Sequence, residues 1–157
     1  MPNLRLLVLG KHRPGPAAPW LVHAGTVSDP VDAYLAADAL LHPTFYDACA
    51  NVALEAAAAG RPVVSSDLNG SAELFTHDQD GLVLPVAFHP RPEVDAGWCQ
   101  TVERLASDTA YRQRLGTAAR ALAARHTLDR YLDQFEALLT TCRPITPSIP
   151  PFRHDQP

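Results

Sequence analysis

Apolar positions come in short blocks separated by turn-forming residues, and the spacing within and between blocks sets the expected elements. Leu4 to Leu9 (LRLLVL) is a run of branched side chains stopped by Gly10, as a strand buried on both faces would be. The proline- and glycine-rich KHRPGPAAP that follows is expected to be a loop, and Trp20 to His23 a second strand. Asp29 stands where an N-cap belongs, with Pro30 at the first helical position and Val31, Tyr34 and Leu35 supplying an apolar face. Ala39 to Leu41, ended by Pro43, predicts a third strand, and a helix through Leu54 and Glu55 ended by Gly60 precedes a fourth at Pro62 to Val64. Gly70 to Phe75 predicts a short helix, and Asp80-Gly81 turns into a strand at Leu82 to Leu84.

Strands alternating with helices at this spacing require crossover connections, so the expected fold is α/β: a Rossmann-like parallel sheet with helices on both faces. From Trp98 to Cys142 the period lengthens. Val102, Leu105, Tyr111, Leu115, Ala119 and Leu122 recur at three- and four-residue intervals, and Leu128, Tyr131, Leu132, Phe135 and Leu138 resume after a break, predicting long C-terminal amphipathic helices. One domain over 1–142 is expected, with 143–157 (RPITPSIPPFRHDQP) a proline-rich, disordered tail.

Composition narrows the function. A chain of 157 residues with 46% hydrophobic content can bury one core, and its net charge of -4 with a single lysine, Lys11, carries no basic stripe for nucleic acid. Three cysteines, Cys49, Cys99 and Cys142, show no metal spacing and are expected to be free, buried thiols in a reducing compartment. With no signal-peptide pattern and no apolar run long enough for a bilayer, cytoplasmic residence is expected, with peripheral contact at the inner membrane left open. The sequences GxGxxG, GxxxxGK[ST], GxSxG and HExxH are absent. Asp78-Gln79-Asp80 has the form of a metal-binding DxD, but it precedes a strand and is expected to be a turn, so no metal is assigned.

The chemistry concentrates in DACANVALEAAAAG, from Asp47 to Gly60. Two acids, Asp47 and Glu55, bracket a stretch of small and apolar side chains and Asn51 at a strand-to-helix transition, where ligands of open parallel sheets bind. Ala48, Cys49 and Ala50 allow close approach to the backbone, and first-turn N–H groups can take a phosphate. Asn51 suits an N-cap. Glu55 can accept both protons of a vicinal diol such as a ribose.

In these residues, and in the flanking VHAGTVSDPVDAYLAADALLHPTFY and GRPVVSSDLNGSAELFTHDQDGLVLP, the chain resembles the C-terminal nucleotide-sugar-binding domain of family-four retaining glycosyltransferases of the GT-B fold. That group includes lipopolysaccharide-core and other bacterial glucosyltransferases. The resemblance runs from Leu4 to about Leu139. It implies transfer of a sugar from a nucleotide diphosphate sugar, with retention, to a glycan or lipid-linked acceptor, without a metal or other cofactor. By position, Asp47 matches the acid that contacts the donor sugar and is the catalytic candidate. Glu55 matches the ribose ligand, the backbone of Ala50, Asn51 and Val52 the diphosphate cradle, and Gly25, Thr26 and Val27 the glycine turn against the base.

Three departures accompany the match. The family usually carries glutamate where Asp47 stands, a reach longer by about 1.5 Å, one C–C bond. It normally has a helix between the first two strands, where KHRPGPAAP stands. An acceptor domain and a basic pair that neutralises the diphosphate precede the first strand in the family; Lys11 or Arg13 is the nearest substitute here. An N-terminal acceptor domain or partner chain is therefore expected as a partner, meeting an open face of this domain. Two further readings stay open: a sugar-nucleotide epimerase of the same fold, and a non-catalytic nucleotide-binding remnant or half of a split enzyme.

Overall fold

A computed structural model describes residues 4–11 and 18–141. The loop expected after Gly10 lies largely, and the proline-rich tail wholly, outside these residues. Up to His126 the chain forms one compact unit, and from Thr127 a second.

In the first unit, β1 (Leu6–Leu9) pairs in parallel with β2 (Leu21–Gly25), and β3 (Leu40–His42), β4 (Val63–Ser66) and β5 (Leu82–Leu84) form a parallel sheet in the order β3-β4-β5. The predicted parallel α/β architecture is therefore present, but as two sheets. β1 and β3 are both edge strands among the described residues. Periodicity reports which faces a strand buries and is silent on which strand lies beside it.

Helix α1 (Val31–Ala36) starts one residue later than expected, with Pro30 at the N-cap position, and the Asp29 carboxylate accepts from Val31 N–H at 2.9 Å. Helix α2 (Asn51–Ala58) follows the β3 loop, and α3 (Pro92–Ser107) and α4 (Thr109–Ala123) pack on the sheet. Gly70–Leu74 is a 3₁₀ turn. β4 is enclosed on both faces: Val63 joins Tyr34, Ala53, Ala57 and Leu122 in one cluster, and Val64 joins Leu82, Leu105 and Leu115 in another. Its continuous apolar start fits this two-sided burial.

The DQD sequence forms the turn before β5. Asp78 adopts φ 60°, accepts from the Tyr111 hydroxyl at 2.6 Å and pairs with Arg114 at 3.1 Å, while Asp80 accepts from Thr76 N–H at 2.7 Å. Both carboxylates thus fasten a turn, and Asp78 ties it to α4. Hydrogen bonding from Tyr111 holds the Asp78 carboxyl below its ordinary range, and burial raises the Tyr111 phenol.

The second unit contains α5 (Leu128–Thr141). Its residues Leu128, Tyr131, Leu132, Phe135 and Leu138 form the predicted apolar stripe, and these and Leu139 are all exposed. No helix among the described residues is long and apolar enough to cross a membrane. The expectation of buried thiols is corrected: Cys49 on the loop before α2 and Cys99 on α3 are free but exposed, and neither belongs to a core cluster. Cys142 lies outside the described residues.

Candidate functional site

The loop from His42 to Ala50 joins the carboxyl end of β3 to α2, and a neighbouring segment fixes its shape. The backbone of Asp47 bridges to Asn69, with Gly70 N–H donating to Asp47 O at 2.9 Å. A Cβ on Gly70 would fall 1.8 Å from Ala48 O, so only glycine permits this approach. Ser66 Oγ donates to Thr44 O at 2.6 Å, a second tie from the end of β4.

Asn69, 2% exposed, organises the helix start. Its Oδ1 accepts from Ala50 N–H at 3.3 Å and Ser71 N–H at 3.1 Å, and its Nδ2 donates to Ser65 Oγ at 2.9 Å. The expected N-cap role of Asn51 is therefore corrected. Asn51 is the first helical residue, Ala50 is the N-cap without a side-chain cap bond, and the amide at the loop's buried end comes from Asn69, distant in sequence. Ala53 N–H bonds Ala50 O at 3.1 Å, which leaves the N–H groups of Asn51 and Val52 without an acceptor among the described residues. They are the orphan donors of a helix start.

The two acids differ in their surroundings. Asp47 Oδ1 accepts from Cys49 N–H at 3.1 Å, and Oδ2 lies 3.5 Å from His42 Nε2, so this carboxylate shapes its own loop while remaining partly accessible. Glu55 is exposed on α2, and one of its oxygens, Oε2, accepts from the Tyr34 hydroxyl of α1 at 2.8 Å. Burial, then the hydrogen bond and charge of Glu55, raise the Tyr34 phenol far above its ordinary range, so it stays a neutral donor. Tyr34 therefore orients Glu55 and leaves Oε1 open.

Gly25 ends β2 at φ +73°, a backbone conformation that glycine adopts freely, and Thr26 and Val27 follow it, both exposed. These three sit at the carboxyl end of the other sheet, and no hydrogen bond among the described residues joins them to the Asp47–Glu55 segment. The structure thus gathers Asp47, Ala50, Asn51 and Val52 around one helix start with Glu55 a turn along, while Gly25, Thr26 and Val27 belong to the end of β2 in the other sheet. Lys11 follows β1 and is exposed, while Arg13 lies outside the described residues. Among the described residues no group of three His, Cys, Asp or Glu side chains could hold a metal ion. A cavity of about 900 Å³ lies elsewhere, lined by residues of β1 and β3.

Sequence reasoning missed Asn69 and Tyr34. Both contacts span long sequence separations, and the only local signal was the Asn-Gly-Ser punctuation after β4.

The architecture agrees with known proteins. HepE of Anabaena, solved in complex with UDP-glucose, superposes with a TM-score of 0.76 at 18% identity, over 90% of this chain and 42% of that one. WaaG, a glycosyltransferase involved in lipopolysaccharide biosynthesis, superposes with a TM-score of 0.68 at 24% identity, over 90% and 39%. The fold is accordingly that of GT-B glycosyltransferases. The chain belongs to the family "Glycosyl transferases group 1", whose model matches residues 2–108. Relatives include a glycogen synthase of Mycobacterium tuberculosis, 40% identical over 84 residues, which are 54% of this chain and 19% of the relative. A D-inositol 3-phosphate glycosyltransferase of Nocardia farcinica is 30% identical over 113 residues, covering 69% and 24%. The chain thus spans about a quarter or less of the length of these relatives.

Proposed function

We propose that this chain is the donor-binding part of a glycosyltransferase that takes its sugar from a nucleotide diphosphate with retention of configuration. The observation that carries the reading is the helix start itself: the open N–H groups of Asn51 and Val52 lie between Asp47 and a Glu55 carboxylate oriented by Tyr34. Orphan N–H groups at the positive end of α2 suit the diphosphate, whose charge they stabilise as it leaves. Glu55 Oε1, with the edge of Oε2, suits a ribose diol. Asp47 is assigned to the donor-sugar hydroxyls, and Gly25, Thr26 and Val27 to the base. The donor is bound without a metal or other cofactor. UDP-glucose, the ligand of HepE, is the first donor to test.

The acceptor, a glycan or lipid-linked sugar, is met by an N-terminal acceptor domain or partner chain, and this portion alone is inactive. The protein acts in carbohydrate biosynthesis in the cytoplasm, peripherally at the inner membrane where the acceptor is lipid-linked. A non-catalytic nucleotide-binding role is the second reading, favoured by one observation: both oxygens of Asp47 face groups of its own loop.

The test is the melting temperature with UDP, ADP and GDP against Glu55→Ala. A nucleotide at a hundredfold excess over its dissociation constant adds about 2.7 kcal/mol, or roughly 5–10 °C for a chain of this size. A shift with one nucleotide, lost in Glu55→Ala, supports the donor site. No shift with any nucleotide removes it.

A further inference from the structure

The nitrogen that Asp47 faces is itself unsatisfied. Among the described residues the buried side-chain nitrogens without a hydrogen bond are His23 Nε2, His42 Nε2 and Arg61 Nε, and of these only His42 Nε2 lies within ion-pairing distance of a carboxylate. Its 3.5 Å to Asp47 Oδ2 is longer than an ordinary N–H···O bond of about 2.9 Å. A buried ring nitrogen without a partner forfeits the hydrogen bond that water gave it in the unfolded chain, so closing this gap is favourable.

The two groups are held from different directions. His42 ends β3, its backbone is in register with Ser65 of β4, and its carbonyl accepts from Thr44 N–H at 3.0 Å. The ring is thus mounted on the sheet. Asp47 is mounted on the loop, which Asn69 and Gly70 fasten, and its Oδ1 already accepts from Cys49 N–H at 3.1 Å. A single donor leaves a carboxylate free to turn about that contact, whereas a second donor on the other oxygen fixes its plane. Each ionised carboxylate oxygen has two lone pairs, so both oxygens keep a place for a sugar hydroxyl. The Asp47 side chain, 35% exposed, can reach a ligand, while the enclosed His42 nitrogen cannot.

We infer that His42 is a positioning residue of this site: its Nε2–H donates to Asp47 Oδ2 when a donor sugar is bound and sets the carboxylate toward the sugar hydroxyls. The inference rests on the assignment of Asp47 to the donor sugar and adds which group orients that acid. A strand residue suits the task, because regular elements hold a site's geometry more closely than loops do. His42 acts on sugar recognition only through Asp47.

The test is calorimetry with UDP and with UDP-glucose on the unaltered chain and its variants. In His42→Leu the affinity for UDP-glucose relative to UDP falls about fivefold, the worth of one ordinary hydrogen bond, and the affinity for UDP itself is unchanged. His42→Gln, whose amide places a donor near the Nε2 position, restores most of the ratio. Made in an Asp47→Asn chain, His42→Leu lowers the ratio no further. Nitrogen NMR of the His42 ring in the unaltered chain supplies a signature that needs no variant: Nε2 carries the proton, and its resonance moves more with UDP-glucose than with UDP. An Nε2 without that proton overturns the inference, as does equal weakening of both ligands, failure of His42→Gln to restore the ratio, or an undiminished loss in the Asp47→Asn chain. Each of these leaves the donor site standing where UDP binding is lost in Glu55→Ala. If the unaltered chain binds neither UDP nor UDP-glucose, the donor-site reading falls and this inference with it.

Discussion

Around β4 the molecule closes on itself, whereas around β1 it stays open. Val63, Val64, Ser65 and Ser66 are enclosed, their polar neighbours are paired through Asn69, and α2, α3 and α4 cover both faces. β1 is equally apolar, yet among the described residues it pairs on one side only and leaves Leu7 39% exposed. The same kind of sequence therefore has different worth in the two places. Burial needs neighbours, and hydrophobic stabilisation scales with the area that those neighbours remove from water.

The sharpest way to break this comparison is to truncate one leucine on each side. Leu115→Ala, at a position 0% exposed, should cost about 4 kcal/mol in urea unfolding, whereas Leu7→Ala should cost under about 1 kcal/mol. Equal losses would show that β1 is as well enclosed as β4. Gly70→Ala comes next. Its Cβ would drive into Ala48 O, with an expected loss of about 3 kcal/mol and of the nucleotide-induced melting shift. Retention of both would mean that the loop before α2 accommodates a methyl group.

Asn69→Ala strands the N–H groups of Ala50 and Ser71 and should cost about 2 kcal/mol in the same unfolding experiment. Tyr34→Phe removes only the hydroxyl that orients Glu55, for about 1 kcal/mol, and should weaken nucleotide binding by a few-fold in calorimetry, with Glu55→Ala weakening it more. The smallest effect is electrostatic. The Asp78 carboxyl is held below its ordinary value of 3.8, chiefly by the Tyr111 hydrogen bond, so its contribution is complete above that value and disappears as pH falls through the lowered one. Asp78→Asn, which tolerates the positive φ, should reduce the melting temperature slightly at pH 7 and converge with the parent chain in strong acid.

Much of the enclosed half was legible in the sequence. The valines of β4, the Asp80-Gly81 turn and the small residues of α2 each obey a local rule, and the acids Asp47 and Glu55 stand on the strand-to-helix transition where such folds bind ligands. The interactions that tune the site were not legible. Asn69 serves Ala50 from 19 residues away and Tyr34 serves Glu55 from 21, so local periodicity carries no trace of either. Asn51 was expected to cap its own helix, but the deciding amide belongs to a segment brought near only by tertiary folding. The division into two sheets is likewise a matter of which strands lie side by side.

Asn69 is followed by Gly70, the pairing in which a backbone nitrogen most readily attacks the preceding side-chain amide and converts it to a carboxylate, and asparagine is among the thermolabile residues. In the fold that nitrogen is spent on Asp47 O at 2.9 Å, and the amide is held by three partners in a nearly closed space. The chemical ageing of this protein is therefore coupled to its unfolding: the bond most liable to decay is shielded while the loop before α2 is in place, and each opening of that loop starts its clock.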